Sequence, residues 1–113
     1  MRLFQHRTAP PVITKDELHD RLLRGEELQV LNVADPRHHT LGMIMGSLKI
    51  PFAELARRAT ELVRSREVVT YSSDCACDRP RMAAEMLAKK GFKVRWYDGG
   101  IREWAAAGLP VDA

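Results

Sequence analysis

Short apolar runs alternate with amphipathic segments along most of this chain, and that alternation constrains its fold more than any other feature. Leu28–Val33 (LQVLNV) and Val68–Tyr71 (VVTY) are short and rich in branched residues, and Lys93–Tyr97 (KVRWY) alternates as a strand does. Segments with helical spacing separate these runs. Strands separated by helices favour a parallel sheet with helices on both faces, so the predicted class is α/β. Ligands of such sheets bind beyond the carboxyl ends of the strands.

Local signals predict where the helices begin and end. Thr14 and Glu17 have the spacing of a capping box, and Gly25 is placed to end the first helix. Further helices are predicted at Phe52–Val63, from an Asp78 cap to Gly91, and at Ile101–Ala107.

The length of the chain predicts one domain. At 113 residues, it can bury a core without a disulfide or a structural metal. Residues 1–11 are predicted to be an arm and residues 12–113 the domain. No apolar run is long enough to span a membrane, and residues 1–11 lack the apolar stretch of a secretory signal, so we expect a cytoplasmic protein without a membrane partner.

The charge of the chain indicates an anionic partner other than nucleic acid. Eighteen basic and fifteen acidic residues give a net charge of +3 and a pI near 9.1. The basic residues are dispersed, and only seven aromatic side chains are available for stacking on bases.

Both cysteines lie in one predicted loop between a strand and a helix. Cys75 and Cys77 are too close in sequence for a structural disulfide, which indicates reduced thiols. A helix N-terminus favours both a bound anion and a thiolate. The residue pattern alone leaves reactive and inert thiols open. The predicted anion-binding loop comprises Ser72, Ser73, Asp74, Ala76, Asp78, Arg79 and Arg81 around the two candidate nucleophiles.

Neither a metal nor a cofactor is predicted. The Cys-x-Cys spacing differs from that of zinc sites, and the adjacent His38 and His39 point in different directions. Gly99 and Gly100 lack the other residues of a dinucleotide-binding or phosphate-binding loop. We interpret them as a tight turn that lets the backbone approach its neighbour.

From about Val12 to Val111 the chain resembles the rhodanese-like domain family. The matching elements are Gly-x-Ile-x-Gly-Ser at 42–47, and the strand VVTY with its cysteine-bearing loop and the alanine-rich helix that ends in Gly-Phe. The ending Gly-Gly-Ile-x-x-Trp-x-x-x-Gly-Leu-Pro at 99–110 also matches. The resemblance implies an open, mostly parallel five-stranded sheet flanked by helices. It also implies a loop cysteine that forms a persulfide, taking sulfane sulfur from a small anion such as thiosulfate and passing it to cyanide or to a small-molecule or protein thiol.

The chain departs from the family pattern in its most informative positions. The family's catalytic cysteine usually follows the strand's tyrosine directly, where this chain has Ser72. A longer-loop variant aligns its two cysteines with Ser72 and Cys77, whereas the shorter loop places the cysteine near Asp74 or Cys75. The usual Asp-Val-Arg reads Asn-Val-Ala at 32–34, and Met43 and Met45 replace a histidine and a proline.

A hydroxyl cannot carry a sulfane sulfur, so Cys75 and Cys77 remain the candidate nucleophiles. We prefer Cys75, because the neighbour of a helix cap tends to turn its side chain outward. Weak activity is expected, since Asp74 and Asp78 oppose thiolate formation. One alternative is an inactive binding or regulatory module. A less favoured one is a thiol phosphatase, because Cys75 and Arg81 imitate a Cys-(five)-Arg loop that Pro80 interrupts.

Overall fold

The computed structural model describes residues 9–35, 42–73 and 78–112. Seven strands lie in these residues: β1 (Val12–Ile13), β2 (Gln29–Asn32), β3 (Met43–Ile44), β4 (Leu48–Lys49), β5 (Val68–Tyr71), β6 (Val94–Tyr97) and β7 (Val111–Asp112). Four α-helices accompany them: α1 (Lys15–Leu23), α2 (Phe52–Arg58), α3 (Arg79–Lys89) and α4 (Gly100–Ala106).

Five of the strands form one parallel sheet in the order β1-β6-β5-β2-β4. β5 is the central strand, and all four of its residues are buried because helices cover both faces of the sheet. The predicted α/β class with a parallel five-stranded sheet is confirmed.

The two faces of the sheet have separate apolar cores. α2 and α3 pack on one face, where Leu55 and Leu87 meet Val68 of the central strand. α1 and α4 pack on the other face, where Leu18 and Trp104 meet Val69. Successive residues of β5 therefore face opposite cores, as the twofold alternation of a strand requires.

The capping box predicted at the start of α1 is present. The Glu17 backbone N–H donates to Thr14 Oγ1 at 3.1 Å, and the Thr14 N–H donates to Glu17 Oε1 at 3.1 Å. Two N–H groups that the helix cannot satisfy internally thereby gain acceptors. This local signal placed the first helix correctly.

The helix predicted over Phe52–Val63 is shorter than expected. α2 ends at Arg58, a 3-10 turn follows at Ala59–Glu61, and Leu62 is extended. Val63 is bonded to β2 instead, because its N–H donates to Gln29 Oε1 and Gln29 Nε2 donates to its carbonyl, both at 2.7 Å. These bonds hold Val63 outside the helix.

A second, two-stranded antiparallel sheet was not predicted. β3 pairs with β7, with Ile44 opposite Val111, and the Gly46 N–H donates to Asp112 Oδ2 at 2.9 Å. Each strand has two residues, which is too short to show a periodic pattern. None of the described helices is long and apolar enough to cross a membrane.

Candidate active site

The candidate site lies where the central strand β5 ends. Ser72 follows this strand and is buried, with 1% of its surface exposed. Its neighbour Ser73 has a buried hydroxyl that finds no hydrogen-bond partner among the described residues. A buried hydroxyl without a partner is energetically costly, so Ser73 Oγ is a polar group for which a bound ligand could supply the missing partner.

The first turn of α4 anchors the backbone at this point. The Ile101 N–H donates to the Ser72 carbonyl at 2.9 Å, and the Arg102 N–H donates to the Ser73 carbonyl at 3.0 Å. The start of α4 is therefore bonded to the end of β5. This contact brings the loop after β5 and the glycine turn after β6 together at one edge of the sheet.

The tight turn predicted at Gly99 and Gly100 is confirmed. Gly100 has a φ of +74°, which favours glycine, and a Cβ at Gly99 would lie 2.6 Å from Glu103 Cδ and 2.8 Å from Tyr97 Oη. The turn thus brings the backbone at Gly99 against the side chains of Glu103 and Tyr97, which a side chain at Gly99 would prevent.

The described chain resumes at Asp78, immediately before α3. Asp78 was predicted to cap this helix, but its side chain makes no capping hydrogen bond. Its backbone is already helical, with φ −84° and ψ −9°, whereas a capping residue is usually extended so that its side chain can reach back to the first turn. The Asp78 carboxylate lies 3.7 Å from the Arg81 guanidinium instead.

Arg81 does not present an isolated charge to the loop. Its guanidinium lies 3.3 Å from the Glu85 carboxylate in addition to its contact with Asp78. Two acidic partners offset its charge. A Cys-(five)-Arg phosphate loop, the phosphatase alternative, would need this guanidinium to turn away from both. Pro80 is buried in the same turn, and its carbonyl accepts a 2.8 Å hydrogen bond from Thr70 Oγ1 on β5.

A polar network lies inside this edge of the sheet, around Tyr71. The Tyr71 hydroxyl accepts from the Ile44 N–H at 3.0 Å and lies 2.8 Å from Ser47 Oγ. Asn32 lies opposite Tyr71 in the register of the sheet. Burial raises the pKa of Tyr71, and the interactions with Ser47, Ile44 and Asn32 offset that effect only in part, so the phenol stays neutral at physiological pH.

Lys49 also lies at this edge, and the sequence did not single it out. Its Nζ donates to the Ala34 carbonyl at 2.7 Å and to Asn32 Oδ1 at 3.2 Å. The only local signal was its position at the end of a short strand that precedes a helix, which is the sheet edge where ligands bind.

The two candidate nucleophiles lie outside the described residues, together with Asp74, Ala76, His38 and His39. The structure brings the flanking site residues Ser72, Ser73, Asp78, Arg79 and Arg81 to the carboxyl end of β5. Within the described parts of the chain, no three His, Cys, Asp or Glu side chains form a group that could hold a metal ion.

Comparison with known proteins identifies relatives of this chain. The sequence model of the Rhodanese-like domain matches residues 14–107. A sulfurtransferase from Allochromatium vinosum is 31% identical over 102 residues, which cover 89% of this chain and 94% of that protein. An HTH-type transcriptional regulator from Mycobacterium tuberculosis is 37% identical over 100 residues, which are 88% of this chain. The chain spans only 44% of that regulator's length.

A solved structure shows the same architecture. The rhodanese-related protein from Thermoplasma volcanium superimposes with a TM-score of 0.79 and is 26% identical, and the match covers 90% of this chain and 97% of that one.

Proposed function

The chain belongs to the rhodanese-like domain family, and from this membership we propose that it carries or transfers sulfane sulfur on a loop cysteine. The single observation that carries the proposal is the match over 94% of a protein named as a sulfurtransferase. The end of β5 supports it, because among the described residues the Ser73 hydroxyl has no hydrogen-bond partner and Asp78 makes no side-chain cap at the start of α3. Both features suit an anion bound beside a thiolate.

The proposed reaction has two displacement steps. A cysteine thiolate attacks the outer sulfur of thiosulfate, a new S–S bond forms, and sulfite leaves with the electron pair of the broken bond. The acceptor, cyanide or a thiolate, then attacks the outer sulfur of the persulfide. The cysteine leaves as a thiolate, and the product is thiocyanate or a new persulfide.

Cys75 is the proposed nucleophile, and Cys77 is the second candidate. Cys77 immediately precedes Asp78 at the boundary of α3, and a residue in that position tends to turn its side chain outward. Ser72 holds the position of the family's usual cysteine, and its hydroxyl cannot hold a sulfane sulfur. Activity is therefore proposed to be weak.

Intact-mass measurement after thiosulfate treatment tests the proposal. We expect the full chain to gain one sulfur atom that dithiothreitol removes, and thiocyanate to form when cyanide is added. A variant with both cysteines replaced by serine is the control and should gain nothing. A wild-type chain that gains no sulfur and forms no thiocyanate would refute the proposed transfer.

A second candidate function is that of a binding or regulatory module without catalysis. The buried Ser72 favours it, and so does the relative named as a transcriptional regulator, in which a domain like this one is less than half of the protein. The mass experiment separates the two functions, since a module of this kind forms no persulfide with thiosulfate.

A further inference from the structure

Lys49 reaches across the end of a neighbouring strand. It is the last residue of β4 and lies opposite Asn32 of β2 in the register of the sheet. Its Nζ extends beyond this pair to the Ala34 carbonyl, at 2.7 Å. Because β2 lies between β4 and β5, and Asn32 is also the register partner of Tyr71, the ammonium group lies at the edge that carries Ser72 and Ser73.

The ammonium group of Lys49 is bonded to uncharged acceptors. Both described acceptors, the Ala34 carbonyl and Asn32 Oδ1, are neutral amide oxygens. Burial lowers the pKa of Lys49, and the negative charge of Asp35 offsets this only in part. A half-buried cation loses hydration that neutral oxygens replace incompletely, so an anion placed beside it would be stabilised.

The hydrogen-bond capacity of this group is also incompletely used. An ammonium has three N–H donors, and the described contacts occupy two of them. Arg81, which the sequence favoured as a source of positive charge, instead lies close to the carboxylates of Asp78 and Glu85. Of these two cations, Lys49 is the one whose described hydrogen bonds go to neutral oxygens and not to a carboxylate.

We propose that Lys49 is a specificity-determining residue that binds the oxyanion group of the sulfur donor, such as the sulfonate end of thiosulfate or of an alkyl thiosulfonate. This assignment rests on the proposed sulfur transfer for the identity of the donor. The anion site itself rests on the position, contacts and burial of Lys49. Binding through this group favours anionic donors over neutral polysulfides.

Sulfate titration tests the anion site without any reaction. Sulfate resembles the sulfonate end of thiosulfate but carries no sulfane sulfur, and amide chemical shifts at constant ionic strength would report its dissociation constant. We expect Lys49→Gln to weaken sulfate binding about tenfold, equivalent to about 1.4 kcal/mol. The matched control Lys89→Gln removes the same charge from the exposed last residue of α3. It should leave binding unchanged.

Two outcomes of this titration would overturn the inference. One is a Lys49→Gln variant that binds sulfate as the wild type does, and the other is an equal loss in Lys89→Gln. If Lys49→Gln does not fold, as judged by circular dichroism, Lys49→Arg keeps the charge while changing its position. That variant should still bind sulfate, more weakly than the wild type, and wild-type affinity in Lys49→Arg would count against a positioned ammonium.

Donor discrimination tests the role in transfer. For Lys49→Gln we expect the KM for thiosulfate to rise about tenfold with little change in kcat. An uncharged dialkyl trisulfide, whose central sulfur the thiolate attacks with release of an alkanethiolate to leave an alkyl trisulfide on the cysteine, should react as it does with the wild type. An equal loss with both donors would overturn the assigned specificity. Sulfate binding does not need a thiol, so a chain that binds sulfate through Lys49 but accepts sulfur from neither donor would refute only the proposed function.

Discussion

The hydroxyl of Tyr97 at the end of β6 donates a 2.6 Å hydrogen bond to Glu103 Oε1 on α4. This bond closes the turn that contains Gly99 and Gly100. The same helix donates its first N–H groups to the carbonyls of Ser72 and Ser73. The Tyr97–Glu103 pair therefore supports the backbone from which the candidate thiol loop departs.

We expect Tyr97→Phe to lower the free energy of unfolding by about 1–2 kcal/mol, because Glu103 loses its donor while the ring still fills the core. Urea unfolding at neutral pH measures this change. A loss of less than about 0.5 kcal/mol would show that water replaces the phenol without cost.

The same pair predicts a pH dependence of stability. Burial raises the pKa of Tyr97, and the Glu103 carboxylate raises it further. In the unfolded chain the phenol titrates at about pH 10. The stabilising contribution of Tyr97 is therefore complete below that pH and is lost as the pH rises above it toward the folded pKa. We expect stability to fall less steeply above pH ~10 in Tyr97→Phe than in the wild type. Both proteins keep the buried Tyr71, so any pH dependence that Tyr71 causes is common to both. Identical slopes of unfolding free energy against pH in the two proteins would contradict this prediction.

Replacing Gly99 should disrupt the Tyr97–Glu103 hydrogen bond by steric overlap. A Cβ at this position would overlap the Glu103 carboxylate and lie 2.8 Å from Tyr97 Oη. The tyrosine ring is buried and cannot retreat, so we expect Gly99→Ala to cost about 1–3 kcal/mol of stability. In a Glu103→Ala background the cost should be smaller, and a double-mutant cycle by urea unfolding measures the difference. Strictly additive effects would show that Glu103 is not the obstacle.

At the edge of the sheet opposite the candidate site, a buried carboxylate just before β5 is expected to stabilise the fold through its ion pairs. The Glu67 side chain is 7% exposed and pairs with Arg21 at 2.6 Å and with Arg95 at 3.0 Å. We expect Glu67→Gln to cost about 3–5 kcal/mol, because Arg95 loses the carboxylate of its described ion pair and Arg21 is left with Glu26 alone. The control Glu27→Gln removes an exposed partner of Arg66 and should change stability by less than about 1 kcal/mol. Equal effects of the two variants would contradict a special role for burial.

Glu67 also predicts sensitivity to acid. Burial alone would raise the pKa of Glu67, but the hydrogen bond and charge of Arg21, with Lys93 and Arg95, outweigh burial and hold it below its usual value. Its stabilising contribution is therefore present above the unfolded pKa of about 4.3 and is lost as the pH falls through the lower folded pKa. Unfolding measured from about pH 6 to about pH 3 should be less pH-dependent in Glu67→Gln than in the wild type.

The thiol prediction separates the two cysteines. Cys75→Ser should abolish the sulfur adduct formed with thiosulfate, because a hydroxyl is not a thiolate at neutral pH. Cys77→Ser should retain most of the adduct, since its thiol is not the proposed nucleophile. Intact mass and thiocyanate formation measure both variants, each serving as the control for the other. Equal losses would indicate that the two thiols act together.

Local patterns were sufficient for the elements with strong periodicity or capping. The buried strand at Val68–Tyr71 and the capping box of Thr14 and Glu17 were predicted from neighbouring residues alone, because both signals depend on contacts within a few positions. The family resemblance then indicated the topology, and the strand Val68–Tyr71 followed by both cysteines indicated the candidate thiol loop.

Tertiary contacts decided the rest. Gln29 bonds Val63, which the sequence had placed in the second helix, and the two-residue strands β3 and β7 exist only because distant segments meet. Lys49 lies at the sheet edge of the candidate site through a strand register that no local pattern encodes. Helix and strand periodicity reports which face of an element is apolar. Contacts between residues far apart in sequence, and the burial of charged side chains in those contacts, are set only when the sheet assembles.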